Sequence, residues 1–551
     1  MKKHTWLLFV AGIFFGFALS QKSGSISRKE IMAAQNLFNL NFSKAEIDTM
    51  ISYLEGNRKG YDSMRTYHLG NDVAPAMSFD PYPIDLVFTT SNGYSNWEID
   101  ESIHLPENRE DIAFLTVREL AGLIKSRKIT SLELTEIYLD RIKKHDVKLL
   151  SFINITEDLA INQAKKADEE ISNGNYKGPL HGIPYGVKDL ASVPGYPTTW
   201  GAAPYQNQVI NQTATVVKKL EEAGAVLLGK LVSGSLARGD VWFGGKTKNP
   251  WDLTQGATGS SAGSGSATSA GLVGFSIGTE TLGSIISPST RCGVTGLRPT
   301  FGAVSRAGLM TLSWSMDKVG PICRSATDCA IVYDYIRGKD YLDRSVQDVS
   351  FDYILQPDLQ KLKVGYLSAS FETDTVGNNI HNYRTLDEFR ALGIEPVKVT
   401  FSDDFPFSVF DIILRAESGA FFDELILSGK HSQMVEQHKG SRANSLRQSR
   451  FIPAVEYLQA NRHRRILIEE THQILKEYDI IISPTFGGRQ MLITNLTGHP
   501  ALSLPNGFDD KGRPTSITLI GNYFEEAKLI ALAEAYQKQH AYHNQIPKGF
   551  E

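Results

Sequence analysis

The sequence predicts an α/β protein: a large mixed, mostly buried sheet covered by helices on both faces, preceded by a helical N-terminal extension. Three observations carry that expectation. Helical and strand-like patterns alternate; Thr213–Ala223 has helical character, Gly224 stops it, and Ala225–Gly229 follows as a strand. Asp479–Thr485 (DIIISPT) contains a continuous apolar run, the pattern of a strand covered on both faces. The 551 residues, 41% hydrophobic and 21% charged, supply enough apolar material for a large core.

The elements follow in chain order. Residues 1–20 have the pattern of a signal peptide. Lys2-Lys3-His4 is a basic start, Trp6–Ala18 an apolar stretch, and Ala18-Leu19-Ser20 a small-x-small site before Gln21. The expected product is exported, periplasmic or extracellular, and cleaved near Ser20/Gln21, with no stable membrane insertion afterwards. The apolar run is short for a bilayer span, which needs about 20 residues; an uncleaved anchor is the alternative. Residues 21–112 form an N-terminal helical and extended segment. Ser27–Leu40 and Ser43–Leu54 carry helical apolar spacing, and 71–106 is rich in Pro, Asn, Ser and aromatics, as for an extended wrap. No chemistry is evident there.

Residues 113–551 carry the α/β alternation, and the length alone would allow several domains. Thr116-x-x-Glu119 and Thr130-x-x-Glu133 fit the reciprocal capping box, and Leu134, Ile137, Tyr138 and Ile142 form one apolar helix face. A further helix runs from about Glu157 to Ile171. Later helices are expected over Asp328–Ile336, Asn379–Leu392, Val409–Lys476 and Glu525–Gln539, and strands over Lys363–Leu367, Val397–Phe401 and Ser516–Ile520. The basic run from Arg442 to Arg450 reads as a solvated helix face. The formal net charge of −4, with no domain-scale basic excess, gives no sign of a nucleic-acid partner. Cys292, Cys323 and Cys329 are too few and too scattered for a disulfide framework, and buried free thiols are expected. No Cys/His spacing resembles a zinc site, and there is no His-Glu-x-x-His.

The chemistry gathers between Gly256 and Thr300, where Gly, Ser and Thr crowd around short apolar runs. A phosphate-binding loop would need Gly-Lys-[Ser/Thr] after the glycines, and none is present. Gly259-Ser260-Ser261-Ala262-Gly263 fits Gly-x-Ser-x-Gly, the context of an esterase using Ser261. The nucleophile elbow, however, should follow an apolar strand, and Asp252–Thr258 is not one. Three segments carry a more specific pattern. Gly259-Ser260-Ser261 resembles the Gly-Gly-Ser-Ser segment of the amidase signature family. Gly278–Ile285 (GTETLGSI) resembles its Gly-x-Asp-x-Gly-Gly-Ser-Ile segment. Cys292–Gly302 (CGVTGLRPTFG) is similar to its Cys-Gly-x-x-Gly-Leu-Lys-Pro-Thr-x-Gly segment. Upstream, Gly182–Asp189 (GIPYGVKD) resembles its Gly-[Val/Ile]-Pro-x-x-Val-Lys-Asp segment. The chain is identified as similar to this family from about Leu115 to about Gln537.

The resemblance implies a single large amidase domain over residues 113–551 that hydrolyses a carboxylic amide C–N bond through an acyl-Ser284 intermediate, with no metal or organic cofactor; the pattern of residues 1–20 makes the expected product an exported amidase. Ser284 would be the nucleophile, Ser260 the bridging cis-serine and Lys188 the base. Backbone N–H groups of Thr281, Leu282, Gly283 and Ser284 would hold the oxyanion, with Ser261 supporting the loop. A useful base near pH 7 requires the lysine pKa to fall from about 10.4, at a cost of roughly 4 kcal/mol, for which burial is the obvious source. A small-molecule amide is the expected partner, and a homodimer is left open. His181 is the competing base, although its place before Gly-Ile-Pro suits a loop hydrogen bond. Four departures set this chain apart: Leu282 where the family has Gly, Gly229–Gly234 (GKLVSG) for its Gly-Lys-Thr-Asn segment, Glu280 for Asp, and Ile286 for Arg. The last two leave Glu280 without the family's ion-pair partner. A catalytically impaired amidase-fold binding protein is therefore the rival reading.

Overall fold

The computed structural model describes residues 25–38, 79–83, 95–353, 358–373 and 379–551, with scattered positions between 44 and 55. The segment expected to be a signal peptide, 1–20, lies outside them, as do five of the twelve positions of the expected Ser43–Leu54 helix; the other seven are helical. Two compact units are present, Met1–Val73 and Ala74–Glu551. In the first, Ser27 caps the helix Arg28–Leu37 and Glu30 returns the bond to the Ser27 N–H, completing a capping box.

The second unit is built on an 11-stranded sheet. Its strands are β1 Phe152–Ile155, β2 Pro184–Lys188, β3 Val226–Leu231, β4 Phe275–Glu280, β5 Thr295–Arg298 and β6 Lys318–Cys323. They continue as β7 Val364–Leu367, β8 Val397–Val399, β9 Ile480–Pro484, β10 Ala501–Phe508 and β11 Pro514–Gly521. The spatial order is β1-β3-β2-β4-β6-β5-β10-β11-β9-β7-β8. Pairing is parallel along β3-β2-β4 and along β9-β7-β8. It is antiparallel at β1-β3 and from β4 through β6, β5, β10 and β11 to β9. The sheet is therefore mixed. Every residue of β2, β3, β6 and β9 is buried. Successive side chains of a strand point to opposite faces, so both faces must be covered.

Local signals explain the covering helices. Thr116 and Thr130 cap Val117–Lys125 and Ser131–Leu149, and both capping boxes are complete. Leu134, Ile137, Tyr138 and Ile142 are buried, as their spacing requires. The stretch expected as long helices after Val409 is broken into Asp411–Phe421, Asp423–Leu427, Arg442–Ser449 and Ala454–Leu475. Gly429, in the left-handed region at φ +73°, and Pro453, just before the last helix, punctuate it. The three cysteines are buried and free. Residues 79–83 and 95–108 belong to the second unit, where Tyr82 donates to the Phe301 carbonyl at 2.7 Å and Trp97 to Asp334 at 3.0 Å. Among the described residues, no helix is long and apolar enough to cross a membrane.

Candidate active site

Lys188 closes β2, which lies between two parallel neighbours, β3 and β4. Beyond β4 the chain turns through Thr281-Leu282-Gly283-Ser284 into the short helix Ile286–Cys292. Gly283 makes the turn at φ +85°; a Cβ there would sit 2.6 Å from Met491 Sδ, so the position requires glycine. Ser260 and Ser261 lie just before the helix Ala262–Ser269, and the Gly259–Ser260 peptide is cis. The Ser261 N–H donates to the Ser284 carbonyl at 3.2 Å, tying the two serine-bearing loops together.

The Lys188 side chain is buried, with Nζ 2.8 Å from Ser260 Oγ, 3.0 Å from Ser261 Oγ and 2.9 Å from Thr279 Oγ1. Burial pulls its pKa down to about 7, against the smaller opposing pull of Asp317 and Glu280. A neutral amine has two hydrogens and one lone pair. Ser261 Oγ directs its hydrogen at the Thr279 carbonyl, 3.1 Å away, so it accepts from Lys188. Thr279 takes the second N–H. The remaining lone pair is then free to accept from the Ser260 hydroxyl.

Glu280 departs from the expectation that it lacks an ion-pair partner. Its carboxylate meets Arg298 Nη1 at 2.8 Å, with both side chains buried. The expected arginine at position 286 is absent, but β5 delivers another cation to the longer glutamate. The N–H groups of Ile285 and Ile286 donate to the second Glu280 oxygen at 2.8 and 3.0 Å, and Asn495 donates to the first at 2.8 Å. Burial alone would raise the Glu280 carboxyl; Arg298 and the Ile286 N–H outweigh it and hold the pKa at about 2. On the other side of the loop, Asp317 accepts the Thr281 hydroxyl at 2.6 Å together with the Leu312 and Ser313 N–H groups. The loop is thus pinned at both ends. Among the described residues, the Leu282, Gly283 and Ser284 N–H groups have no protein acceptor.

A cavity of about 320 Å³ opens at Ser284, with Gly259, Thr281, Leu282, Arg238 and Arg442 in its wall. Leu282 is 38% exposed and forms part of that wall, so the residue that departs from the expected glycine shapes the space beside the serine. The Arg442–Arg450 run is not simply a solvated face. Arg442 is 5% exposed and donates to the Leu236 and Ala237 carbonyls at 3.0 and 3.1 Å. Its Nη1 is buried without a hydrogen-bond partner. The helix Arg442–Ser449 begins there, capped by Ser441, and this turns its first residue inward. His181 serves its loop, with Nδ1 accepting from the Lys177 N–H at 3.1 Å and Nε2 lying 3.1 Å from Glu170. Among the described residues, no cluster of His, Cys, Asp or Glu is arranged to hold a metal.

Sequence reasoning missed Thr279, Arg298, Asp317, Arg442 and Asn495 as parts of this site. Thr279 and Arg298 lie inside the quoted segments and could have been found there. Asp317, Arg442 and Asn495 arrive from remote parts of the chain and carry no local signal.

The Amidase family model matches residues 133–494. The chain is 32% identical over 494 residues to a glutamyl-tRNA(Gln) amidotransferase subunit of Thioalkalivibrio sulfidiphilus, covering 79% of this chain and 99% of that one. Its fold is similar to that of the peptide amidase of Stenotrophomonas maltophilia, with a TM-score of 0.71 and 28% identity over 79% of this chain and 98% of that one. An amidase family protein of Bacillus anthracis aligns with a TM-score of 0.71 and 26% identity over 80% and 93% of the two chains.

Proposed function

The chain belongs to the amidase signature family, and from that premise we propose that it hydrolyses a carboxylic amide through an acyl-Ser284 intermediate. Ser284 Oγ attacks the carbonyl carbon and gives its proton to Ser260 Oγ, which passes its own to neutral Lys188. The N–H groups of residues 281–284 stabilise the oxyanion. As the tetrahedral intermediate collapses, Lys188 returns the proton through Ser260 to the leaving nitrogen, and the C–N bond breaks. Water, activated by the same pair, then releases the acid. The observation that carries this reading is the Lys188 amine, buried, with a pKa of about 7 and 2.8 Å from Ser260 Oγ.

The cavity wall narrows the substrate. Arg238, Arg415, Lys439 and Arg442 line it against a single carboxylate, Asp411, which is already paired with Arg415 at 2.5 Å. Arg442, buried and without a carboxylate partner among the described residues, supports an amide whose acyl or amine part ends in a carboxylate. The test is hydrolysis of succinamate, glutaramate and adipamate beside neutral primary amides of the same lengths. At least one acid should exceed its neutral counterpart about tenfold in kcat/KM, and Arg442→Gln should remove that margin. Equal rates for acids and neutrals would refute the anionic substrate, and no hydrolysis of any aliphatic, aryl or peptide amide would refute the amidase reading.

Export belongs to the same proposal and rests on the pattern of residues 1–20. Intact-mass analysis of expressed protein should find a chain beginning near Gln21 outside the cytoplasm; a cytoplasmic chain that keeps Met1 would contradict it. The 32% identity to an amidotransferase subunit favours one second reading, action on glutamyl-tRNA(Gln) within an assembly. Amide hydrolysis by the purified chain alone, without tRNA, separates the two.

A further inference from the structure

Phe79 lies outside residues 133–494, the span matched by the family model. Its ring centroid is 3.6 Å from the Arg464 guanidinium carbon and 5.2 Å from the Phe301 ring, which it meets edge-on. The segment carrying it is anchored nearby. Tyr523 donates to the Pro81 carbonyl at 3.1 Å, Arg465 to the Tyr82 carbonyl at 3.1 Å, and Tyr82 to the Phe301 carbonyl at 2.7 Å.

Arg464 is 1% exposed and forms no ion pair among the described residues. Its donors span two elements. Nη1 and Nη2 reach the Ser315 hydroxyl and carbonyl at 2.7 and 2.8 Å, and Nε reaches the Leu496 carbonyl at 2.6 Å. Each element holds one end of the loop at Ser284. The turn containing Ser315 ends in Asp317, which accepts from Thr281. The helix Gln490–Thr497, containing Leu496, supplies Asn495 to Glu280 and sets Met491 against Gly283. Glu417 offsets the charge through the Ser315 hydroxyl that both side chains share, and the face of Phe79 covers the guanidinium. The aromatic quadrupole attracts the cation without competing for its hydrogen bonds. Losing the ring would leave Arg464 free to tilt toward water and release both walls together.

We infer that Phe79 is a positioning residue for the oxyanion loop Thr281–Ser284, acting through Arg464, so that the segment 79–83 completes the active site. The inference rests on the reading of Ser284 as nucleophile. Phe79→Leu keeps an apolar side chain but removes the π face. It should lower kcat about tenfold with KM nearly unchanged, less than the 10²–10³ lost when an oxyanion donor is removed outright. Phe79→Trp should restore kcat to within about twofold, because the aromatic face is retained. A merely structural role would lower the melting temperature and leave kcat intact well below it.

Hydrogen exchange on the full wild-type chain tests the same coupling without a variant. Coupling between two sites is reciprocal, so a fluorophosphonate adduct on Ser284 should slow amide exchange in residues 79–83. Wild-type kcat in folded Phe79→Leu, or unchanged exchange in 79–83 despite an adduct on Ser284, overturns the inference alone. Absence of any adduct on Ser284 overturns the functional reading and this inference with it.

Discussion

Lys188 is surrounded by three hydroxyl groups at 2.8 to 3.0 Å and forms no ion pair among the described residues. The arrangement suits an amine that must be neutral before catalysis. With its pKa near 7, set first by burial, the amine proposed as the base becomes neutral as pH rises. The kcat/KM profile should climb through about pH 7 and level off above it. A profile flat from pH 5 to 9 would contradict Lys188 as the base. Lys188→Ala should cost a factor on the order of 10² to 10⁴ in turnover, and Lys188→Arg should not rescue it because guanidinium stays protonated. Leu282 belongs to the same scale. As part of the cavity wall, its change to Gly should raise kcat/KM for bulky acyl groups more than for acetyl. An equal effect on all acyl sizes would place the side chain outside the acyl pocket's limits.

Among the elements, the strand–loop–helix unit from β4 through Ile286–Cys292 carries the most chemistry, and Glu280 locks it. Arg298→Met would strand a buried carboxylate at a cost of about 3–5 kcal/mol; denaturant unfolding should show it, and a loss below about 1 kcal/mol would mean the pair is dispensable. The pH sign follows. An unfolded glutamate titrates near about 4.3, whereas Glu280 in the fold titrates at about 2. Its stabilising contribution is therefore complete above the unfolded value and is lost as pH falls from there through the folded one.

This unit also shows what the sequence could convey. Lys188, Ser260 and Ser284 were legible because each lies in a short, specific segment, the lysine at the end of a strand and the serines in glycine-rich turns. The Glu280–Arg298 pair was missed because its members are 18 residues apart on different strands. Only the antiparallel pairing of β4 and β5 to the two sides of β6 brings them together.

For the whole molecule, the α/β class was readable from the alternation of helices and strands, and the capping boxes fell where expected. The centre of the sheet was less readable. Lys318–Cys323 (KVGPIC) and Ala501–Phe508 (ALSLPNGF) both contain Gly and Pro, which weaken a strand reading. Both are strands because neighbours on each side pair with them. Tertiary context overrode local propensity. The same holds for Arg442, whose charge pattern suggested solvent and whose position at a helix start turned it into the cavity wall.

The measurement closest to the central claim is site mapping of a fluorophosphonate adduct on the intact protein, with the labelling rate followed against pH. A single adduct on Ser284 is expected, with a rate that rises through about pH 7 with the Lys188 amine and loss of labelling in Ser284→Ala. An adduct on Ser261 with Ser284 untouched, or amide turnover that persists in Ser284→Ala, would contradict it.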